Sequence, residues 1–475
     1  MLLLLALSPL LFAALAFTLP DQRRRPLALL AGASLHALLV VVTWIQPPAP
    51  ALSGWLLLDA PGKLVLGTTS TLFLVCAVYA QGYLARRADR DNRVFVGGLL
   101  VLLSAMTVVA ISQHLGLLWV AIEITTLTTA PLIYFNHNAL SLEAAWKYLL
   151  VCSLGIALAL LGTFFLALAS AGPGGPHSLL VRDLASAGPS LSRPWVRAAF
   201  VFLLVGYGTK MGLAPLHSWK PDAYGEAPGL LGAILSGGVT NLAFLAIVRV
   251  LHVCNAAGER AFAADSLVAI GLLSMALAAV FMVGQRDLKR MLAYSSVEHM
   301  GILSLGLGLG GAAASGAFFH MVANGLVKGV LFLAAGNIHR AFGAKTVDKV
   351  SGAAERLPIS GPLFLAGFLA VTGSPPFAPF FSELSILNGA IRGGHFWAAG
   401  LFLVFLSVIF VGMGATVLRV VQGKAPGGRA PPELADSPLT AGPPLALMAL
   451  VLLLGLWVPR GLLGLFDAAA SLVGG

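Results

Sequence analysis

Long apolar stretches alternate with short polar loops along the whole chain. Fourteen of these stretches are roughly 20 residues long, the length that an α-helix needs to cross the hydrocarbon core of a bilayer. The pattern therefore predicts an all-α, multi-pass membrane protein. The fourteen predicted helices cover residues 2–19, 27–45, 64–84, 95–111, 114–135, 148–170, 196–216, 229–253, 266–284, 291–309, 313–338, 361–391, 396–418 and 439–459.

The seventh apolar stretch is interrupted before it can finish crossing a bilayer. It runs into GYGTKMGLAPLHSWKPDAYGEAP, residues 206–228, in which glycines and prolines disfavour a continuous helix. Lys210 lies at this interruption, and a lysine at the centre of a membrane helix costs roughly 2.5–3.5 kcal/mol on insertion scales. Because irregular backbone at membrane depth is tolerated only inside protein or beside water, the motif indicates ion transport. The twelfth stretch contains a second interruption, GSPPFAPFFSE, which ends in Glu383.

Three pairs of ionisable residues in the two halves of the chain are separated by nearly the same spacing, 173 to 175 residues. Five predicted helices fill each unit, and an odd number of crossings gives the two units opposite orientations. We therefore predict two inverted five-helix repeats, helices 4–8 and 9–13, each with one broken helix, as in many secondary transporters. Chance alignment of three selected pairs is the alternative. The pairs are Glu123 with Glu298, Lys147 with His320, and Lys210 with Glu383.

These repeats divide a single transmembrane domain, residues 1–475, into four parts. Residues 1–90 hold the first three helices, 95–253 the first repeat, 266–421 the second repeat, and 439–475 the last helix. The first helix lacks the basic segment that precedes a signal sequence, so we interpret it as a membrane anchor.

The distribution of charged residues also predicts how the chain is oriented in the membrane. The chain is 58% hydrophobic and only 10% charged, and its net charge of +10 is spread over short loops, which argues against nucleic-acid binding. Nineteen Lys and Arg residues lie in the loops of one side and eight in those of the other. The positive-inside rule then predicts that both termini lie on the outer, periplasmic face of the cell's inner (plasma) membrane.

Motifs for catalysis or cofactor binding are not found in the sequence. The three cysteines are far apart and form no CxxC pair, so we predict neither an iron–sulfur cluster nor a structural zinc site. GLGLGG at residues 306–311 matches a dinucleotide motif only formally, because it closes a membrane helix and follows no strand. We therefore predict no catalytic residues, no bound metal and no cofactor, and an independent redox enzyme is the least favoured function.

Glu123 and Lys210 are the first two candidates for ion transfer. Glu123 lies in LGLLWVAIEITTLTTAPLIYF, far from any other charge, and Lys210 is the obvious cation to pair with it. A proton arriving near such a pair can change its state, because the two groups titrate together. A static ion pair that locks two helices is the alternative.

His320, Asn324 and Lys328 form the second group. Their spacing of four residues places them on one face of the eleventh helix. Histidine titrates near neutral pH and buried lysine can do so, so the stripe could relay protons. A histidine that only packs in the core is the alternative.

The third group lies near the ends of helices ten and twelve. Glu383 follows the prolines of the second interruption, where unwound backbone gives access to water, and we expect it to release protons. Glu298 and His299 lie about two turns inside the inner face, where they either take up protons or simply reach the surface.

Together these motifs resemble one family, the antiporter-like membrane subunits shared by respiratory complex I, Mrp cation/proton antiporters and membrane-bound nickel–iron hydrogenases. The resemblance covers helices four to thirteen. It rests on Glu123, on Lys210 with APLHSWKPDA, on Lys328 in HMVANGLVKGVLFLAAGNI, and on GSPPFAPFFSE with Glu383. LKRMLAYSSVEHMGI, residues 288–302, is most similar to component F of hydrogenase-4.

The resemblance implies a fourteen-helix subunit that moves protons while partner subunits carry out redox chemistry. It assigns Glu123 and Lys210 to a glutamate–lysine pair, Lys328 to the central lysine and Glu383 to the terminal group. Two positions depart from the family. Asn241 stands where many members have a lysine, and Asn324 stands where some members have a histidine. Water would have to bridge the middle of the pathway at these positions.

The sequence thus favours a proton-translocating subunit of a hydrogenase-4/formate hydrogenlyase-like or NADH:quinone oxidoreductase complex. Its expected partners are the membrane and peripheral subunits of that complex. Two alternatives stay open: a stand-alone or Mrp-type cation/proton antiporter, which could move sodium ions, and a structural subunit that conducts nothing. The pathway residues are Glu123, Lys210, His320, Lys328 and Glu383, with Lys147, Asn241, Glu298, His299 and Asn324 as further candidates.

Overall fold

A computed structural model of the chain describes residues 1–172, 176–425, 428–431 and 433–474, and within these it contains helices but no β-strand. The helices are α1 (Leu2–Thr18), α2 (Arg25–Ile45), α3 (Ala60–Ala85), α4 (Arg93–Ile111), α5 (Leu115–Ile133), α6 (Ala139–Ser170), α7 (Val181–Ser186), α8 (Arg193–Met211), α9 (Trp219–Glu226), α10 (Gly229–Ile234), α11 (Thr240–Ala256), α12 (Arg260–Met282), α13 (Leu288–Leu309), α14 (Gly311–Phe342), α15 (Ala353–Arg356), α16 (Ser360–Val371), α17 (Ala378–Arg392), α18 (Phe396–Val421), α19 (Pro438–Leu456) and α20 (Arg460–Ser471).

Ten helical segments of the described chain are long and apolar enough to cross a membrane. They are α2 to α6, the unit formed by α10 and α11, and α12, α14, α18 and α19. Helices α1 and α16 are apolar but shorter. The prediction of an all-α, multi-pass membrane protein is confirmed.

The two predicted interruptions are both present. Helix α8 ends at Gly212, which has a positive φ of 82°, and seven non-helical residues separate it from α9. The apolar stretch 361–391 is not one helix but two, α16 and α17, separated by residues 372–377 with Gly373 at φ 67°. Each interruption contains one cis peptide bond, Ala214–Pro215 in the first and Pro375–Pro376 in the second.

Two helix boundaries differ from the sequence prediction for local reasons. Helix α6 begins at Ala139, nine residues before the predicted start, because Asn138 and Ser141 form a reciprocal capping box. The apolar stretch 439–459 is followed by a separate helix, α20, which packs on α14 and α3. Ser315 and Arg260 hold this last helix through Asp467 and the carbonyl of Val473.

Helices α10, α11 and α14 form the centre of the molecule, and nearly every residue of them is buried. Leu235–Val239 form a π-helical turn between α10 and α11, where Gly237 lies directly against the backbone of Gly325 in α14. In contrast, α2, α6 and α18 expose many large apolar side chains, as helices facing lipid do. The polar residues with candidate chemistry therefore lie in or next to the most buried part of the fold.

Candidate functional site

Lys210 is buried in the last turn of α8, two residues before Gly212, where the first interruption begins. Its Nζ donates hydrogen bonds to Thr126 Oγ1 of α5 at 2.8 Å and to Tyr148 Oη of α6 at 2.6 Å. The ammonium also lies 4.8 Å from the centre of the Tyr148 ring. Trp219 packs edge-on against that ring and donates to the carbonyl of Thr209. The interruption thus fixes a buried amine among hydroxyl groups and aromatic rings.

Glu123 does not form the direct ion pair with Lys210 that we predicted, although both residues are described. It accepts a hydrogen bond from Ser153 Oγ of α6 at 2.8 Å through Oε1, while Oε2 is buried without a partner. Thr126 explains the difference, because it follows Glu123 by nearly one helical turn and satisfies the amine itself. The two charges are therefore linked through α5 rather than in contact.

Lys220 is a buried cation, although it is one of the nineteen basic residues predicted to lie in the loops of the inner side. It lies in α9, is fully inaccessible to solvent, and donates from Nζ to Ser296 Oγ of α13 at 3.0 Å and to the Ser296 carbonyl at 3.4 Å. Its alkyl chain passes directly over Gly212, where any Cβ would overlap with Lys220 Cε. The glycine at the first interruption thus lets this lysine point into the protein.

Lys328 binds Ser295, the neighbour of the Ser296 that binds Lys220. Its Nζ donates to Ser295 Oγ at 2.6 Å, and the side chain is completely buried in the middle of α14. Because Ser295 and Ser296 are neighbours on α13, two lysines from different parts of the chain meet at one short segment. Glu298 lies one turn further along the same helix and is also buried.

His299 and His320 form a direct contact between α13 and α14. His299 Nδ1 and His320 Nε2 are 2.9 Å apart, and the rings stack with their centres 5.0 Å apart. His320 Nδ1 lies 2.9 Å from Ser382 Oγ, which already donates its only proton to the Pro379 carbonyl. For neutral rings, His320 therefore donates from Nδ1 to Ser382 and accepts at Nε2 from His299. The four groups form one directed chain of hydrogen bonds.

Glu383 lies beside the end of this chain of hydrogen bonds. Its carboxylate packs against Gly373 in the second interruption, at the place where a Cβ would be, and its Oε1 is buried without a partner. A carboxylate oxygen of Glu383 and ring nitrogens of His299 and His320 all lie within 4.8 Å of one another. On the other side, Glu298 Oε2 is 3.9 Å from His299 Nε2. Two acids therefore flank the histidine pair.

The two asparagines differ in how their amides are satisfied. Asn241 donates to the carbonyl of Gly237 in the π-helical turn, at 2.8 Å, but its oxygen has no partner among the described residues. Asn324 lies between His320 and Lys328 on α14, and both its amide nitrogen and its oxygen are buried without a partner there. Unsatisfied polar atoms in a buried site are suitable partners for water.

Lys147 lies apart from the buried groups. It is about half exposed, and forms ion pairs with Glu143 at 2.6 Å and Asp222 at 2.9 Å. Asp222 also pairs with Arg290 at 2.6 Å, so it connects α6, α9 and α13 at the surface. These contacts are those of a structural network at the helix ends.

The described residues thus form one buried series of ionisable groups across both halves of the chain. Glu123 and Lys210 lie in the first half, Lys220 reaches from α9 to α13, and the second half contributes the rest: Lys328, Glu298, His299, His320 and Glu383. Hydroxyl groups of Thr126, Tyr148, Ser153, Ser295, Ser296 and Ser382 hold the charged ends. Amines, imidazoles and carboxylates held in this way are groups that can take up and release protons.

Such a series, in a helical fold with two broken helices, defines an antiporter-like membrane subunit. Residues 112–410 match the transmembrane family described as NADH:quinone oxidoreductase/Mrp antiporter, and the chain belongs to this family.

Two relatives and one solved structure are similar to the chain. It is 35% identical over 376 residues to the hydrogenase-4 component F homolog of Methylacidiphilum infernorum, covering 77% of this chain and 78% of the relative. It is 33% identical over 441 residues to NADH-quinone oxidoreductase subunit N of Desulforudis audaxviator, covering 87% and 84%. The membrane-bound sulfane sulfur reductase, an archaeal respiratory membrane complex, contains a chain of the same fold, with a TM-score of 0.90, 22% identity, and coverage of 99% and 97%.

Proposed function

We propose that this chain translocates protons as the antiporter-like subunit of a membrane-bound redox complex of the hydrogenase-4 or NADH:quinone oxidoreductase type. The observation that supports the proposal most strongly is the buried series of ionisable groups, most of them held by hydroxyls. Burying that many unpaired charges opposes folding, so a fold that retains them is expected to use them. The chain itself supplies no catalytic residue in this proposal, and electron transfer belongs to its partners.

The proposed route runs through the second half. Protons enter from the inner face near Glu298 and His299 and collect on His320 and Lys328. They leave outward through Glu383, which lies against the second interruption. The charge state of Glu123 and Lys210 sets the proton affinity of Lys328, and redox energy from the partner subunits changes that state. Asn324 orders the water that connects Lys328 to the histidines.

Lys220 is the proposed link between Lys210 and Lys328. Asn241 leaves the middle of the route without a titratable group, and Lys220 supplies one from α9 instead. Since Ser296 holds Lys220 and Ser295 holds Lys328, a charge on one lysine disfavours a charge on the other across one peptide unit. A change at Lys210 is thereby passed to the second half.

Protons suit this site better than sodium ions do. Sodium binds through several oxygen ligands, whereas the buried series here is dominated by lysine amines and imidazole nitrogens. A protonated lysine also repels a second cation at close range. Among the groups of the buried series, only the carboxylates of Glu123, Glu298 and Glu383 could attract sodium directly. Of these, Glu298 lies 3.9 Å from the His299 ring.

The placement in the membrane is part of the proposal. Fourteen segments cross the bilayer if α8 with α9, α10 with α11, and α16 with α17 each count as one. Helices four to eight and nine to thirteen of that series then form two inverted repeats. Both termini lie on the outer face of the plasma membrane, as the distribution of basic residues predicts.

The test is proton pumping by the assembled complex in proteoliposomes, followed with a pH-sensitive dye while the redox partners turn over. Glu383→Gln is expected to abolish pumping and Lys210→Ala to reduce it several-fold, and Lys349→Gln, which changes an exposed lysine, is the control. Normal pumping by both site variants would show that the assignment is wrong.

The same preparation distinguishes the two alternatives. Flux through the chain reconstituted alone, or dependence of flux on sodium, would favour an Mrp-type antiporter. Full redox activity of the complex without any proton movement would favour a structural subunit.

A further inference from the structure

A cavity of about 820 Å³ lies at the ends of α3 and α14, on the side of the molecule where α3 ends and α4 begins. The starts of α10 and α13 and residues 433–434 complete its wall. Basic side chains dominate the lining, and one acid is present. They are Arg86, Arg87, Lys289, His339 and Arg340, with Glu433 as the acid.

Arg340 is the most informative of these residues. All three of its guanidinium nitrogens, Nε, Nη1 and Nη2, are buried and lack a hydrogen-bond partner among the described residues. Nε of Arg87 is in the same state. A buried charged donor without an acceptor is destabilising. Two such arginines around one cavity indicate that the acceptor comes from outside the chain.

The remaining cations of the cavity have weak or neutral partners. Lys289 donates to the carbonyl of Ala227 at 2.9 Å, and Arg86 to that of Ala435 at 3.3 Å. Arg87 donates from Nη2 to the amide oxygen of Asn136 at 2.8 Å. None of these acceptors neutralises the positive charge.

The acids near the cavity do not fill this role either. Glu433 is exposed, and Asp436 already accepts from the backbone amides of Ile359 and Ser360 and from the Ser360 hydroxyl.

Other basic residues near the same end of the molecule show that the unpaired state is particular to this cavity. Lys345 pairs with Glu226 at 2.6 Å and with Asp287 at 3.4 Å. Arg290 pairs with Asp222 at 2.6 Å. The described chain therefore provides carboxylates for these neighbouring cations but forms no ion pair with Arg87 or Arg340.

We propose that this cavity binds a phosphate group, with the guanidinium groups of Arg340 and Arg87 as its principal donors. Guanidinium presents paired N–H donors that match the oxygens of a phosphate, and charge-assisted bonds of this kind are among the strongest available. Basic cavities between membrane helices at the cytoplasmic boundary are suited to anionic headgroups. The phosphate belongs either to an anionic phospholipid or to a free phosphate ion, and both present the same chemistry.

The position of the cavity gives the bound group a structural consequence. Arg340 lies at the end of α14, the helix that carries His320 and Lys328, and Arg87 follows the end of α3. A phosphate held by both arginines would tie these helix ends together. Binding is therefore expected to raise thermal stability, and the proposal does not depend on proton transfer.

The experiment measures thermal unfolding of the purified, delipidated full-length protein with three separate additions. These are phosphatidylglycerol, phosphatidylcholine and inorganic phosphate, the two lipids being added as mixed micelles. Stabilisation by phosphatidylglycerol but not by phosphatidylcholine or phosphate identifies a lipid headgroup, and stabilisation by phosphate identifies the free ion. No stabilisation by phosphatidylglycerol or by phosphate overturns the proposal.

Variants assign the effect to the cavity. Arg340→Gln is expected to weaken binding about tenfold or more, because it removes charged hydrogen bonds to the phosphate. Arg340→Lys keeps the charge but loses the paired donors, and an intermediate affinity is expected. Arg93→Gln removes an exposed arginine outside the cavity and should bind like the unchanged protein. Since Arg340 has no hydrogen-bond partner in the described chain, its replacement breaks no internal hydrogen bond. Unchanged affinity in Arg340→Gln overturns the proposal.

Discussion

The two halves of this protein hold their buried charges in different ways. In the first half, one amine, Lys210, is fixed by the hydroxyls of Thr126 and Tyr148, and Glu123 is held separately by Ser153. In the second half, the histidine pair connects by direct hydrogen bonds to Ser382, with Glu383 beside it. In the proposed function, the first half is the part whose charge changes state, and the second half is the part through which protons move.

Lys220 lies at the contact between the two halves. It belongs to α9, directly after the first interruption, yet its amine binds Ser296 on a helix of the second half. The sharp turn at Gly212 gives it room. The comparison between the halves can therefore be tested by changing each half separately and then the residue between them.

The largest effect is expected from the second half. Lys328→Ala removes the amine that Ser295 holds and leaves the proposed path without its central proton carrier. Proton flux by the assembled complex should fall at least about tenfold, while redox turnover measured without a proton gradient persists. Lys349→Ala, an exposed lysine, is the control. Unchanged flux in Lys328→Ala would mean that the second half does not conduct.

Changing Lys220 should have the next largest effect, and the result tests the link itself. Lys220→Gln can still bind Ser296 but carries no charge, so flux should fall several-fold. The informative measurement is a double-mutant cycle with Lys210→Ala. If Lys220 passes the state of Lys210 onward, the double variant should be no worse than the more severe single variant. Independent, additive effects would show that the halves communicate by another route.

The sequence was sufficient to predict the residues that stand out against an apolar background. Glu123, Lys210, Lys328 and Glu383 are charges inside stretches that could otherwise cross a membrane, and glycine and proline marked both interruptions. Helix periodicity also placed His320 and Lys328 on one face, because three residues spaced by four must share it. The structure buries all of them except Glu123, which is partly buried.

The partners of these charges could not be predicted in the same way. Lys220 stands in a polar segment beside Trp219 and Asp222, where a lysine normally faces solvent, and only the turn at Gly212 brings it inside. Thr126 and Ser295 are hydroxyl residues of a kind common in apolar helices, so nothing in their composition distinguishes them. The predicted contact between Glu123 and Lys210 was wrong because spacing along the chain does not reveal that Thr126 lies nearer.

A moderate effect is expected in the first half. Tyr148→Phe keeps the ring that packs on Trp219 but removes one of the two hydroxyls that bind Lys210. Because Thr126 still accepts a hydrogen bond, we expect flux to fall about threefold to tenfold. Tyr294→Phe, on α13 and outside the buried series, is the matched control. A loss as complete as that of Lys328→Ala would mean that Tyr148 itself carries protons.

The smallest effect is expected at Lys147, which aligns with His320 by spacing but not by environment. Its ion pairs with Glu143 and Asp222 lie at the surface, where such pairs contribute about 0.2–1 kcal/mol to stability. Lys147→Gln should leave proton flux within about twofold of normal and lower thermal stability only slightly. High salt should remove the stability difference, because exposed charges are screened. A severe loss of flux would instead show that Lys147 is part of the proton route. The two halves would then be more alike in function than their hydrogen bonds indicate.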